Sequence, residues 1–138
     1  MAESSSANSV ASLLLASAGQ DLAACQLLAT GANIGDAMVG FHAQQAVEKS
    51  LKAALSANCI EFRRTHDLAL LLDLLQDNNV PSPPEAEWLD ELNPYAVEAR
   101  YGTIGSEDLD RGRALSAAVK VLAWAELQVS SVDRVQRK

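Results

Sequence analysis

Several things are scarce in this chain of 138 residues, and each scarcity removes a class of explanation. Cysteine occurs twice, at Cys25 and Cys59, and neither lies in a pattern with metal-ligand spacing. No metal site is expected, and both are read as reduced, buried small residues. Aromatic residues make up 4% of the chain and β-branched residues are scattered, so the apolar half of the composition is mostly Ala and Leu, which favours helix over sheet. Positive charge is also short. Eleven Lys and Arg against 18 Asp and Glu leave a net charge of -7, which excludes a general attraction to DNA, RNA or an anionic membrane. Any contact with a nucleotide or RNA has to rest on a local cationic patch. The first residues, "MAESSSANS", carry no basic run before the apolar "VASLLLASA", and that run reads as too short and interrupted to cross a bilayer. A cytoplasmic protein without membrane attachment is the expectation.

What remains is helix after helix. From Ser9 to about Thr30, the residues Val10, Leu13, Leu14, Ala18, Leu22, Cys25, Leu28 and Ala29 recur at spacings of three and four. "TGAN" breaks that helix. The next is expected from Ile34 or Asp36 to Ala57, and a third begins at "THDLALLLDLL" with Thr65 as its cap and Asp67 in the first turn. Pro83 or Pro84 can open a fourth helix through "EAEWLDELNPYAVEARY", which Pro94 must kink or split. The last should run from about Ser106 to Val132, burying Leu109, Leu115, Ala118, Val119, Leu122 and Val129. No strand pattern and no repeat is visible. The reading is an all-α fold, an antiparallel four- to five-helix up-and-down bundle over residues 9–135, preceded by a flexible Ser-rich tail of residues 1–8. Trp88 and Trp124 read as core or dimer-interface anchors rather than base-stacking platforms.

The second helix carries the chemistry. In "FHAQQAVEKSLKAAL", Ala43, Val47, Leu51, Ala54 and Leu55 fall on one side, and His42, Gln45, Lys49 and Lys52 fall within an arc of about 80° opposite them. Two readings follow. The stripe is a solvated face with an ordinary Glu48 to Lys52 pair, or it is the wall of a cleft in which lysines neutralise phosphate and Gln or His bonds a base or sugar.

"FHAQQAVEKSLKAAL", then "IEFRRTHDLALLLDLL", then "NPYAVEARYG" stand in the order in which the HEPN domain family carries them, and the chain closely resembles that family over residues 41 to about 101. The resemblance implies a helical bundle that dimerises and associates with nucleotides, RNA or a nucleotidyltransferase partner, often as one half of a toxin–antitoxin-like pair. No cofactor is expected. Some relatives are ribonucleases, in which an Arg followed, after four to six residues, by a His forms the active element. Here His42 and His66 are the only histidines, and no Arg precedes either at that distance. Arg63 and Arg64 are too close to His66, and "YGTIGSED" after Arg100 holds no histidine. Nor is the related pattern ending in a modifiable tyrosine matched, because Tyr101 directly follows Arg100. The expected binding surface therefore comprises His42, Gln45, Lys49, Lys52, Arg63, Arg64, His66, Arg100 and Tyr101. A non-catalytic nucleotide-binding or partner-binding homodimer is the first reading. A divergent metal-free ribonuclease using His66 and Arg100, and a purely structural dimeric scaffold, are the alternatives.

Overall fold

A computed structural model describes residues 2–96 and 109–137. All regular structure among them is helical: α1 (Ala2–Ala29), α2 (Asp36–Ala57), α3 (Leu68–Asp77), a 3-10 helix (Leu89–Ala96) and α4 (Arg111–Arg137). The bundle expected from composition and spacing is the bundle observed. Cys25 lies beside Val39, Asp21 beside His42, and Ala11 beside Ala53 and Ala57, so α1 and α2 run antiparallel. Arg111 meets Asp36, and Val129 and Val132 pack near Ala53 and Ala57, so α4 runs parallel to α2. α1 therefore runs opposite to both α2 and α4.

α2 is the central element and is buried nearly all round. Its predicted apolar side, Ala43, Val47, Leu51, Ala54 and Leu55, is fully buried and packs with Leu68, Leu71, Leu75, Leu89, Leu92 and Val121. Each such leucine contributes roughly 1.5–3 kcal/mol through removal of apolar area from water. At Gly40 the ring of Tyr95 rests on the α2 backbone. A Cβ there would run into the ring carbons of Tyr95, so only glycine permits this approach.

Several local expectations need correction. α1 starts at Ala2, so its helix runs through the serine-rich stretch, and its core residues are Ala11, Ala18 and Cys25, whereas Val10 and Leu13 face outward. As one continuous helix, Ser9–Ala29 is long and apolar enough by length and composition to span a membrane, which the short run "VASLLLASA" did not suggest. α3 is capped by Asp67, whose carboxylate accepts from the Ala69 amide, and Thr65 instead accepts from the Asp67 amide. Residues 84–88 form turns, and Pro94 is accommodated in a 3-10 helix, whose tighter winding replaces the kinked α-helix. α4 starts later than expected and presents Ala114, Ala117, Ala118, Val121, Leu122 and Ala125 to the core, leaving Val119 exposed. Small alanines win because α4 packs closely against the alanine-rich α2. Cys59 is exposed rather than buried, and Cys25 is buried, with its thiol pushed up to about 11 by desolvation. Trp88 and Trp124 are both half-buried against the main core.

Two devices set the loops. Arg111, the first residue of α4, donates to Asp36 Oδ1 at 2.6 Å and to the carbonyls of Ala29, Gly31 and Ile34. One guanidinium thus satisfies the end of α1 and joins it to the start of α2. At the other end of α2, the Ile60 amide donates to the Leu55 carbonyl and the Cys59 amide to the Ser56 carbonyl, with Cys59 at φ 57°. This Schellman turn reverses the chain.

Candidate functional site

The reversal decides the site. Residues 60–67 run back along α2, which sets Lys52 Nζ 5.8 Å from the Phe62 ring centre and His66 beside Glu48. Along α2 itself, Gln44, Glu48 and Lys52 follow at intervals of four and form a ladder on one face. Gln44 Nε2 donates to Glu48 Oε1 at 3.0 Å and to the His66 carbonyl at 3.2 Å, while Gln45 Nε2 donates to Gln44 Oε1. Lys52 Nζ meets Glu48 Oε2 at 2.9 Å, and His66 Nδ1 meets Glu48 Oε1 at 2.9 Å.

Glu48 is buried, and burial by itself pushes its carboxyl up. Hydrogen bonds from Gln44, Lys52 and His66, together with the Lys52 charge, outweigh that cost and hold the group below its ordinary value of 4.5. It is a carboxylate at neutral pH. A carboxylate only accepts, so His66 Nδ1 must carry a proton, and the free lone pair of the neutral ring is on Nε2. The His66 side chain is half exposed, so Nε2 is available to an incoming group.

A second cluster of the same composition adjoins it on the face of α2 turned toward α1. Asp21 of α1 bonds His42 Nδ1 at 2.9 Å through one oxygen and Lys49 Nζ at 2.6 Å through the other. The predicted stripe is accordingly divided. His42 and Lys49 face α1 and are neutralised by Asp21, and Lys52 is neutralised by Glu48. His66 does not face His42 and Lys49 across a groove; it shares Glu48 with Lys52. Neither a solvated face nor an open cleft wall describes the stripe, because its four residues are half-buried and engaged in bonds.

Arg63 and Arg64 differ from these. Both are exposed, and among the described residues neither has an ion-pair partner. Arg63 borders an open hollow of about 580 Å³ with Ser56, Ile60, Glu61 and Phe62. Another hollow, of about 310 Å³, is lined by Asp73, Glu87 and Asp90 among others and offers nothing to an anion. Arg100 and Tyr101 lie outside the described residues. Among those described, no group of His, Cys, Asp or Glu gathers as a metal ion would need.

The HEPN domain model matches residues 11–128, most of the chain. The protein belongs to the HEPN domain family. No curated protein and no solved structure matches it at a significant level. Within this HEPN domain, the three blocks noticed in the sequence acquire physical roles. "FHAQQAVEKSLKAAL" supplies the buried carboxylate and its lysine, and "RRTHDL" supplies the histidine that the carboxylate orients and the Asp67 cap. Asn93 of "NPYAVEARYG" accepts from the Leu68 amide and donates to Asp67, fastening that cap.

Asp21, Gln44 and Glu48 were not among the predicted binding residues. Asp21 had a signal, being the only charged residue between Glu3 and Asp36, and a lone carboxylate on an apolar helix requires a partner. Gln44 had none, because its burial depends on where residue 66 lies.

Proposed function

We propose that this HEPN domain is a non-catalytic module that binds a nucleotide, or the corresponding part of a nucleotidyltransferase partner, through Arg63, Arg64 and the Nε2 atom of His66. In this reading it acts as a homodimer and as one half of a toxin–antitoxin-like pair. The observation that carries it is the buried Glu48 carboxylate holding His66 by Nδ1, while two arginines of the same segment have no ion-pair partner among the described residues. Such arginines match phosphate oxygens in a planar, bidentate manner, and an oriented imidazole edge selects one hydrogen-bond geometry. His42, Lys49 and Lys52, each already paired, shape the surface rather than contact the ligand. Because the net charge is -7, recognition is confined to this patch.

Isothermal titration with ATP, GTP and their monophosphates tests the reading. Saturable heat in the native protein, lost in Arg63→Ala/Arg64→Ala and weakened in His66→Ala, is the expected result. Absence of heat with every nucleotide removes the small-molecule form and leaves the partner form, which co-purification with a nucleotidyltransferase encoded beside it then decides.

The same Glu48 to His66 bond favours one second reading, a divergent metal-free ribonuclease in which His66 moves the proton and Arg100 stabilises the developing phosphorane charge. RNA incubated with metal-free protein distinguishes it. Cleavage that is unchanged in His66→Ala places the activity elsewhere.

A further inference from the structure

The outer face of α1 is the least explained surface of the molecule. Between Glu3 and Asp36 the only charge is Asp21, and that side chain is turned toward α2. Directly opposite the core-facing Ala11, Ala18 and Cys25 run Ser9, Leu13, Ala16, Gln20, Ala23 and Leu27, all of them exposed. Leu13 is 71% exposed and Leu27 78%, although both are large and apolar. The spacings along this row are four, three, four, three and four, the a and d pattern by which one helix packs along another. A solvated face of a protein so rich in acids has no reason to be free of charge over this length, nor to present leucines in register.

We infer that this face is the site at which a second copy of the chain docks, α1 against α1 in antiparallel orientation about a two-fold axis. The inference rests on the proposal that the protein is a homodimer and adds the face that forms it. Antiparallel pairing of a with d positions sets Leu27 of one copy against Ser9 of the other, Leu13 against Ala23, and Gln20 against Ala16. Every layer places a larger side chain against a small one, which lets the helices approach closely. The row is complementary to itself, as a two-fold interface must be. The exposed Val10 borders the row at the end where Leu27 of the other copy arrives, and extends the apolar contact there.

Charge selects the same occupant. Two molecules of net charge -7 repel wherever their acids face each other, and this neutral strip lets them meet without opposing like charges. It offers no lysine or arginine to lipid headgroups. The seam from Ser9 to Leu27 is about 27 Å long, and with its flanks it buries on the order of 1,000 Å² in total, near the lower bound for a specific interface. A concentration-dependent dimer is the result, and its seam involves none of Arg63, Arg64 and His66, which lie in residues 60–67.

Sedimentation velocity over a range of concentrations tests this on the full chain, with Leu13→Asp and Leu27→Asp as variants. Both side chains are already largely exposed in the single chain, so the variants fold, which circular dichroism confirms. Dimerisation weakened at least tenfold in each is expected. Ala16→Cys/Gln20→Cys in a Cys59→Ser background should give a covalent dimer on mild oxidation, while Gln76→Cys in the same background should not. Cys25 does not interfere, being buried with a thiol that resists ionisation. A dimer untouched by both aspartates, with no crosslink at 16 and 20, shows that the protein dimerises through another face. A protein monomeric at every concentration removes the face and the homodimer together. Flotation with phosphatidylcholine vesicles, lost in Leu13→Asp, assigns the face to lipid instead.

Discussion

Two clusters on neighbouring faces of α2 are built from the same parts, a carboxylate, a histidine bonded through Nδ1 and a lysine. Around Asp21, the carboxylate is 13% exposed and the histidine 23%; around Glu48, the carboxylate is 4% exposed and the histidine 51%. The first joins two helices and covers its own histidine. The second buries its anion more deeply and leaves its imidazole more open, and its histidine follows closely in sequence two arginines without ion-pair partners among the described residues. Chemistry alone does not separate a brace from a site here. What separates them is which member of the trio faces water.

That contrast can be broken by deleting the anions. Glu48→Ala leaves Lys52 and Gln44 without their buried partner and should cost about 3 kcal/mol in urea unfolding, within the range for removing one member of a buried pair. Asp21→Ala should cost about 1 kcal/mol, because His42 and Lys49 can reach water. Equal losses in the two variants would mean that burial does not distinguish the clusters.

Acid sharpens the comparison next. The Glu48 carboxyl is held below its ordinary 4.5, so its contribution to stability is fully present above that value and is lost as pH falls through 4.5 toward the lower folded-state value. Unfolding followed from about pH 6 down to about pH 3 should therefore show a steeper acid loss in the native protein than in Glu48→Gln. Matching slopes would remove Glu48 as the source.

The smallest effect on folding belongs to the two exposed arginines. Arg63→Ala and Arg64→Ala should change stability by less than about 0.5 kcal/mol, as exposed substitutions do, while abolishing nucleotide heat. A large stability loss in either would make these arginines structural. Nuclear magnetic resonance of the histidine ring nitrogens completes the comparison without a stability change. The neutral His66 should carry its proton on Nδ1 in the native protein and lose that preference in Glu48→Ala, with His42 unaffected.

Much of this was legible in the chain itself. The second helix, expected from Ile34 or Asp36 to Ala57, runs from Asp36 to Ala57, and its five predicted core residues are all buried, because "TGAN" punctuates the approach and the apolar period is unbroken. The Glu48 to Lys52 pair was also visible as a spacing of four. Its burial was not. α4 was misread at Val119, since a helix of alternating Ala, Val and Leu has no strong apolar side and its neighbours choose the face. Thr65 and Asp67 are both good caps, and Asn93, 26 residues beyond Asp67, settles which one serves.

Composition and periodicity determined that the protein is a bundle of helices, that α2 has an apolar side to bury, and that anions are not bound by bulk charge. Those are properties of short windows and sums, set by local propensity and the spacing of apolar residues. Only the tertiary structure decided that His42 and Lys49 belong to Asp21, that His66 belongs to Glu48, and that Arg63 and Arg64 belong to nothing else on the described chain. The pairs lie 18 to 28 residues apart. No window spans them, and the bonds form because a Schellman turn and a helical hairpin bring the groups within 3 Å of one another.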